Sequence, residues 1–101
     1  MAQIIAAFIA GMLLFNAVPH LVQGICGKKH MTPFAVKSSA WVNVVWGWLN
    51  LVAGVALGAG FNICQAGIPA WAALGAGGFV ISFYLAIFWS NPEARLPWHS
   101  G

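Results

Sequence analysis

Three asparagines and one histidine interrupt stretches otherwise built of apolar residues: Asn16 and His20 in the first, Asn43 and Asn50 in the second. Steps of three, four and seven return to one face of a helix, so Asn16, His20 and Gln23 share a face, and Asn43, Gly47, Asn50, Gly54 and Gly58 share another. Polar groups placed inside an apolar helix must find hydrogen-bond partners or water. Amides facing a solute can replace part of its hydration shell, and an imidazole can relay protons or ligate a metal. Pro19, next to His20, lacks an amide hydrogen and frees the Phe15 carbonyl one turn earlier, which predicts a kink with an extra acceptor. Two readings follow from these residues. One is a ligand or solute path through Asn16, Pro19, His20, Gln23, Asn43, Asn50 and Ser82; the other is a kink held together by hydrogen bonds between helices.

Other chemistry is sparse. Cys26, His30 and Met31 have the softness that suits copper or zinc, but their spacing matches no metal signature and a fourth ligand is missing, so they read as an ordinary loop. One histidine inside the apolar stretches gives no bis-imidazole haem. The single acidic residue, Glu93, lies in the tail, so proton coupling would have to run through His20 alone. Paired carboxylates, a nucleophile elbow and a phosphate-binding glycine loop are all missing from the sequence. No catalytic residue, metal site or cofactor is expected.

The elements that must position these residues follow from composition. The chain has 101 residues, 61% hydrophobic, with mean hydropathy +0.87 and only five charged side chains: Lys28, Lys29, Lys37, Glu93 and Arg95. A soluble domain of this size is mostly surface and needs far more charge, which excludes a cytosolic enzyme or a disordered tail. Three lysines around one loop form no nucleic-acid groove, so no nucleic-acid partner is expected. Three apolar stretches, about 3–25, 39–60 and 70–90, are each long enough to cross roughly 30 Å of hydrocarbon as a helix. The predicted fold class is all-α: a single domain, 1–101, of three transmembrane helices in an antiparallel bundle with a short C-terminal tail. The first stretch has no basic flank or small-residue cleavage pattern and is expected to stay as a helix.

The basic connection, residues 27–37, predicts a cytoplasmic loop, an outside N-terminus and a cytoplasmic C-terminus, with Arg95 in agreement. Ser38 or Ser39 should cap the second helix, and Pro69 fits the first turn of the third. Ser90–Glu93 predicts a short interfacial turn. Trp41, Trp89 and Trp98 are expected at the inner interface and Trp71 at the outer, with Trp46 and Trp48 deeper. Cys26 and Cys64 should lie on opposite sides, too far apart for a disulfide.

Counting outward from the loops puts His20 beside Asn43, Asn16 beside Asn50 and Gly47, and Ser82 near that middle layer. Tyr84 falls off the Ser82 stripe. Helix packing is assigned to Gly47, Gly54 and Gly58 and, on the third helix, to Gly75 and Gly78 with Ala86, because small residues allow close approach where lipid gives no hydrophobic drive. The lipid bilayer is one partner. The surplus of small-residue faces points to a homo-oligomer or a larger membrane-protein partner, hence an accessory protein; the alternative is a small transporter or channel for a polar solute.

The run Asn16-Ala17-Val18-Pro19-His20, then Gly24, Gly27, Thr32-Pro33-Phe34, Ser38-Ser39, Asn43-Val44-Val45-Trp46-Gly47 and Asn50 resembles a family of small uncharacterised bacterial inner-membrane proteins. The resemblance covers the first half of the chain. It implies a bacterial inner-membrane location and a site where the first two helices meet the cytoplasmic loop. It implies no activity, cofactor or partner.

Overall fold

The computed structural model describes residues 1–99. Three helices, α1 (Ala2–Ile25), α2 (Ala40–Gly60) and α3 (Ile68–Ser90), account for most of the chain, each long and apolar enough to cross a membrane. Their side-chain arrangement inverts that of a soluble bundle. Buried helical positions are small or polar: Ala6, Ala7, Ala10, Gly11, Ala17, His20 and Gly24 in α1, Asn43, Gly47, Asn50 and Gly54 in α2, and Ala70, Gly77 and Gly78 in α3. Large apolar side chains such as Ile9, Leu49, Val52, Phe79, Phe83 and Ile87 point outward. Lipid removes the reason to hide Leu and Phe, leaving close packing and hydrogen bonding to hold the helices together. The chain is an integral membrane protein with an all-α, three-span fold.

α1 is the shared partner. It packs along both α2 and α3, while α2 and α3 barely touch each other. Toward α2 the expected stripe is present: Gly47 admits Leu21, and Gly54 admits Leu14. Gly58 makes only ordinary contact with Ile63. Toward α3 the seam differs from expectation. Gly11 and Gly77 are the positions of closest approach, since a Cβ at either would run into the backbone carbonyl of Leu74 or Phe8, and Gly78 lies against the Phe15 ring. Gly75 faces open space, and Ser82 and Ala86 are exposed with it, so the predicted stripe Gly75–Gly78–Ser82–Ala86 is split between two faces. The split follows from geometry, because three residues of helix advance the face by about 300°, and Gly78 has already turned onto α1.

The connections hold more structure than expected. Between α1 and α2 the chain forms a two-stranded antiparallel hairpin, β1 (His30–Thr32) with β2 (Ala35–Ser38), turning at Pro33-Phe34. Thr32 ties it shut: the Ser38 hydroxyl donates to the Ala35 carbonyl at 3.2 Å, so the Thr32 hydroxyl is the donor in the 2.5 Å contact with Ser38 and accepts from the Phe34 amide. Ser39 occupies the N-cap of α2 in extended conformation, but neither serine caps it through a side-chain hydrogen bond. Between α2 and α3, Asn62 adopts a left-handed conformation before a single 3₁₀ turn, Ile63–Gln65. Ile63 is buried beside Ala7, Ala10 and Ala70 and plugs that end of the bundle. Pro69 sits in the first turn of α3 as expected.

After α3 the tail folds back instead of trailing along the interface. The Trp98 indole N–H donates to the Pro33 carbonyl at 2.6 Å. His99 Nδ1 accepts from the Leu96 amide, which leaves Nε2–H to donate to the Thr32 carbonyl at 2.8 Å.

A polar lock beside an aromatic cavity

The amide of Asn43 sets the site. Fully buried, it is within donor distance of three backbone carbonyls: His30 at 2.9 Å, Ser39 at 3.1 Å and Ser38 at 3.2 Å. Three acceptors around one atom fix that atom as the nitrogen, so the amide oxygen faces the other way, toward His20 Nδ1 at 2.8 Å. His20 must then carry its hydrogen on Nδ1. Its Nε2 becomes a lone-pair acceptor with no hydrogen-bond partner among the described residues.

Deeper in the bundle, about two turns along α2 and one along α1, the same logic repeats. Asn50 donates to the Trp46 carbonyl at 2.9 Å, which leaves its oxygen to accept from Asn16 at 3.1 Å. The Asn16 oxygen is left over. His20 and Asn43, and Asn16 and Asn50, thus meet as counting from the loop predicts. Gln23 is half-buried and makes no side-chain hydrogen bond among the described residues. Ser82 stays out of the layer, its hydroxyl donating to the Gly78 carbonyl of its own helix at 2.7 Å.

Beside this layer is a cavity of about 160 Å³, walled by residues of α1, α2, α3, the hairpin and the tail. Asn16 and His20 supply its polar side. Trp46, Phe88 and Trp89 supply aromatic walls, Tyr84 and Leu85 the α3 side, Met31, Thr32 and Pro33 the hairpin side, and Leu96 the tail. Tyr84, off the Ser82 stripe, nonetheless lines the cavity. Trp89 is no interfacial anchor: its indole N–H is buried without a partner among the described residues, and its ring lies 4.2 Å from that of His30 and 6.0 Å from that of His20. Trp41, Trp71 and Trp98 are exposed.

His30, in the hairpin, completes an aromatic cluster with its ring 5.3 Å from His20. Burial holds its pKa below the ordinary imidazole value, and a charge on His20 would push the same way. Cys26 and Cys64 are free and exposed at opposite ends of the bundle. Among the described residues no group of three or more His, Cys, Asp or Glu side chains could hold a metal ion.

The sequence signal for the cavity was thin. Trp46, Phe88, Trp89 and Leu96 look like ordinary lipid-facing or interfacial residues until the hairpin and tail close over them. The fold and site therefore define a small all-α membrane protein with a buried His/Asn network. No family model, curated protein or solved structure matches the chain.

Proposed function

We propose that this chain is an accessory protein of the bacterial inner membrane that works by binding within the membrane plane, not by conducting a polar solute through its Asn/His layer. The observation that carries this reading is how far the amides of the layer are paired with one another and with backbone carbonyls. Asn43 gives its hydrogens to backbone carbonyls, Asn50 gives to Trp46, and Asn16 gives to Asn50. Amides committed in this way have few donors left to replace a solute's hydration shell. The cavity beside them has walls that are largely aromatic and aliphatic.

The N-terminus is outside and the C-terminus cytoplasmic in this reading. Lys28 and Lys29 precede the hairpin, Lys37 lies in β2, and Arg95 belongs to the tail bonded to the hairpin, so all four basic side chains gather at one end. The outward row Gly75, Ser82 and Ala86 offers a close-approach surface to a second copy or a larger membrane protein.

Reconstitution in proteoliposomes tests the reading. Urea and glycerol flux should equal that of protein-free vesicles, while gently extracted protein should retain an apolar small molecule or a protein partner in native mass spectrometry. Flux that disappears in Asn16→Leu or Asn50→Leu, with the fold intact, would replace this reading with that of a solute path.

A further inference from the structure

The cavity beside His20 has a definite size, polarity and opening. Its volume of about 160 Å³ is close to that of the roughly 150 Å³ apolar cavity known to hold one benzene ring. None of the four basic side chains lines it, so an anionic head would enter without a counter-charge. Its polar wall is rich in acceptors. His20 Nε2 is a bare lone pair because Nδ1–H is given to Asn43, and the Asn16 oxygen is left over once its nitrogen has donated to Asn50. A group that satisfies them must donate a hydrogen.

Much of the remaining wall, Trp46, Phe88, Leu85 and Met31 among it, offers surfaces on which a flat ring packs well. α2 and α3 barely touch, so no contact between these helices seals the wall between Trp46 and Tyr84. From these features we infer that the cavity binds a neutral membrane amphiphile headed by one hydroxylated aromatic ring, the chemical class of phenolic and hydroquinone lipids. The ring lies among Trp46, Phe88 and Trp89, its hydroxyl donates to His20 Nε2, and the apolar chain leaves between α2 and α3. The inference rests on the reading of the protein as a binder within the membrane plane and supplies its ligand class.

The test is calorimetric titration of the full chain in zwitterionic nanodiscs, with empty nanodiscs subtracted, using three probes. 4-Octylphenol has ring and hydroxyl, octylbenzene the ring alone, and 1-octanol the hydroxyl alone. Saturable one-site binding of 4-octylphenol is expected, about fivefold to tenfold tighter than that of octylbenzene, as one net hydrogen bond provides, and tighter than that of 1-octanol, which lacks the ring to pack on the aromatic walls. Leu85→Trp, which fills the cavity from α3, and Leu96→Phe, which fills it from the tail where helix packing is not at stake, should each abolish that binding with helical circular dichroism unchanged. Equal affinity for 4-octylphenol and octylbenzene, undiminished binding in both filled variants, or no saturable binding by any probe overturns the inference. Equal affinity for 1-octanol overturns the ring-headed class while the membrane-plane reading stands, and that reading falls separately if the vesicles conduct urea or glycerol.

Discussion

His20 Nδ1 lies 2.8 Å from the amide oxygen of Asn43, and through that one amide α1, α2 and the hairpin are joined. The arrangement is economical: two side chains satisfy each other and three loop or helix-start carbonyls in a place where water is scarce. Asn43→Leu should therefore leave the His20 donor buried and unpaired, destabilising the protein by about 2 kcal/mol. Asn16→Leu, which removes one interhelical bond, should cost about 0.6 kcal/mol, the average for such bonds in membranes. Unfolding equilibria in mixed micelles will rank them; equal losses would contradict the central place given to Asn43.

The α1–α3 seam makes a sharper steric prediction. Gly11→Val puts a side chain into the Leu74 carbonyl, so helices held by backbone proximity must separate, at a cost on the order of 2–3 kcal/mol. Gly75→Val meets open space and should leave the unfolding transition of the monomer unchanged. If Gly75→Val instead breaks an oligomer seen in native mass spectrometry, the outward face is an assembly surface.

How much of this was readable in advance varies by residue. The three spans were plain because charge is confined to Lys28–Lys37 and the tail. The pairings His20–Asn43 and Asn16–Asn50 follow from the distance of each residue to the shared loop, since antiparallel helices fix depth by counting. The Gly11–Gly77 seam was hidden because glycine and alanine occur all round these helices and composition alone cannot tell which face meets a neighbour. The hairpin was hidden for another reason: Thr32-Pro33-Phe34 reads as a turn, but strands of three and four residues carry almost no alternation. The return of Trp98 and His99 to Thr32 and Pro33 depends on long-range contact, which no local pattern encodes.

That return contact gives its own prediction. Trp98→Ala with His99→Ala removes two hydrogen bonds to the hairpin carbonyls and should free the tail while the helices stay folded. Proteolysis near Arg95 should accelerate several-fold, with helical circular dichroism unchanged. Unaltered cleavage would show that the tail is held by other contacts.

Acid should loosen the hairpin end through His30. Its native pKa is held below the ordinary value of 6.5, first by burial and second by a charge on His20, so the unfolded chain takes up a proton that the folded chain resists. Stability from this group is complete above pH 6.5, declines as pH falls toward the lowered native pKa, and then levels off. The unfolding midpoint should drop between about pH 7.5 and about pH 5, and His30→Phe should shrink that drop. An identical pH profile in the variant would remove His30 as its source.

Membrane orientation can be read from the two native thiols. Cys64 and Cys26 are both exposed at opposite ends, so an impermeant maleimide applied to intact spheroplasts should label Cys64 and spare Cys26 until the membrane is opened. The reverse pattern would invert the proposed topology.

The tautomer of His20 is where the lock and the cavity meet, and nitrogen-15 NMR of ring-labelled protein in bilayers measures it directly. The structure predicts a neutral imidazole protonated on Nδ1, with a bare Nε2 whose resonance shifts when 4-octylphenol is added. A hydrogen on Nε2, or an Nε2 resonance indifferent to the phenol, would contradict both the orientation of the Asn43 amide and the acceptor on which the binding site depends.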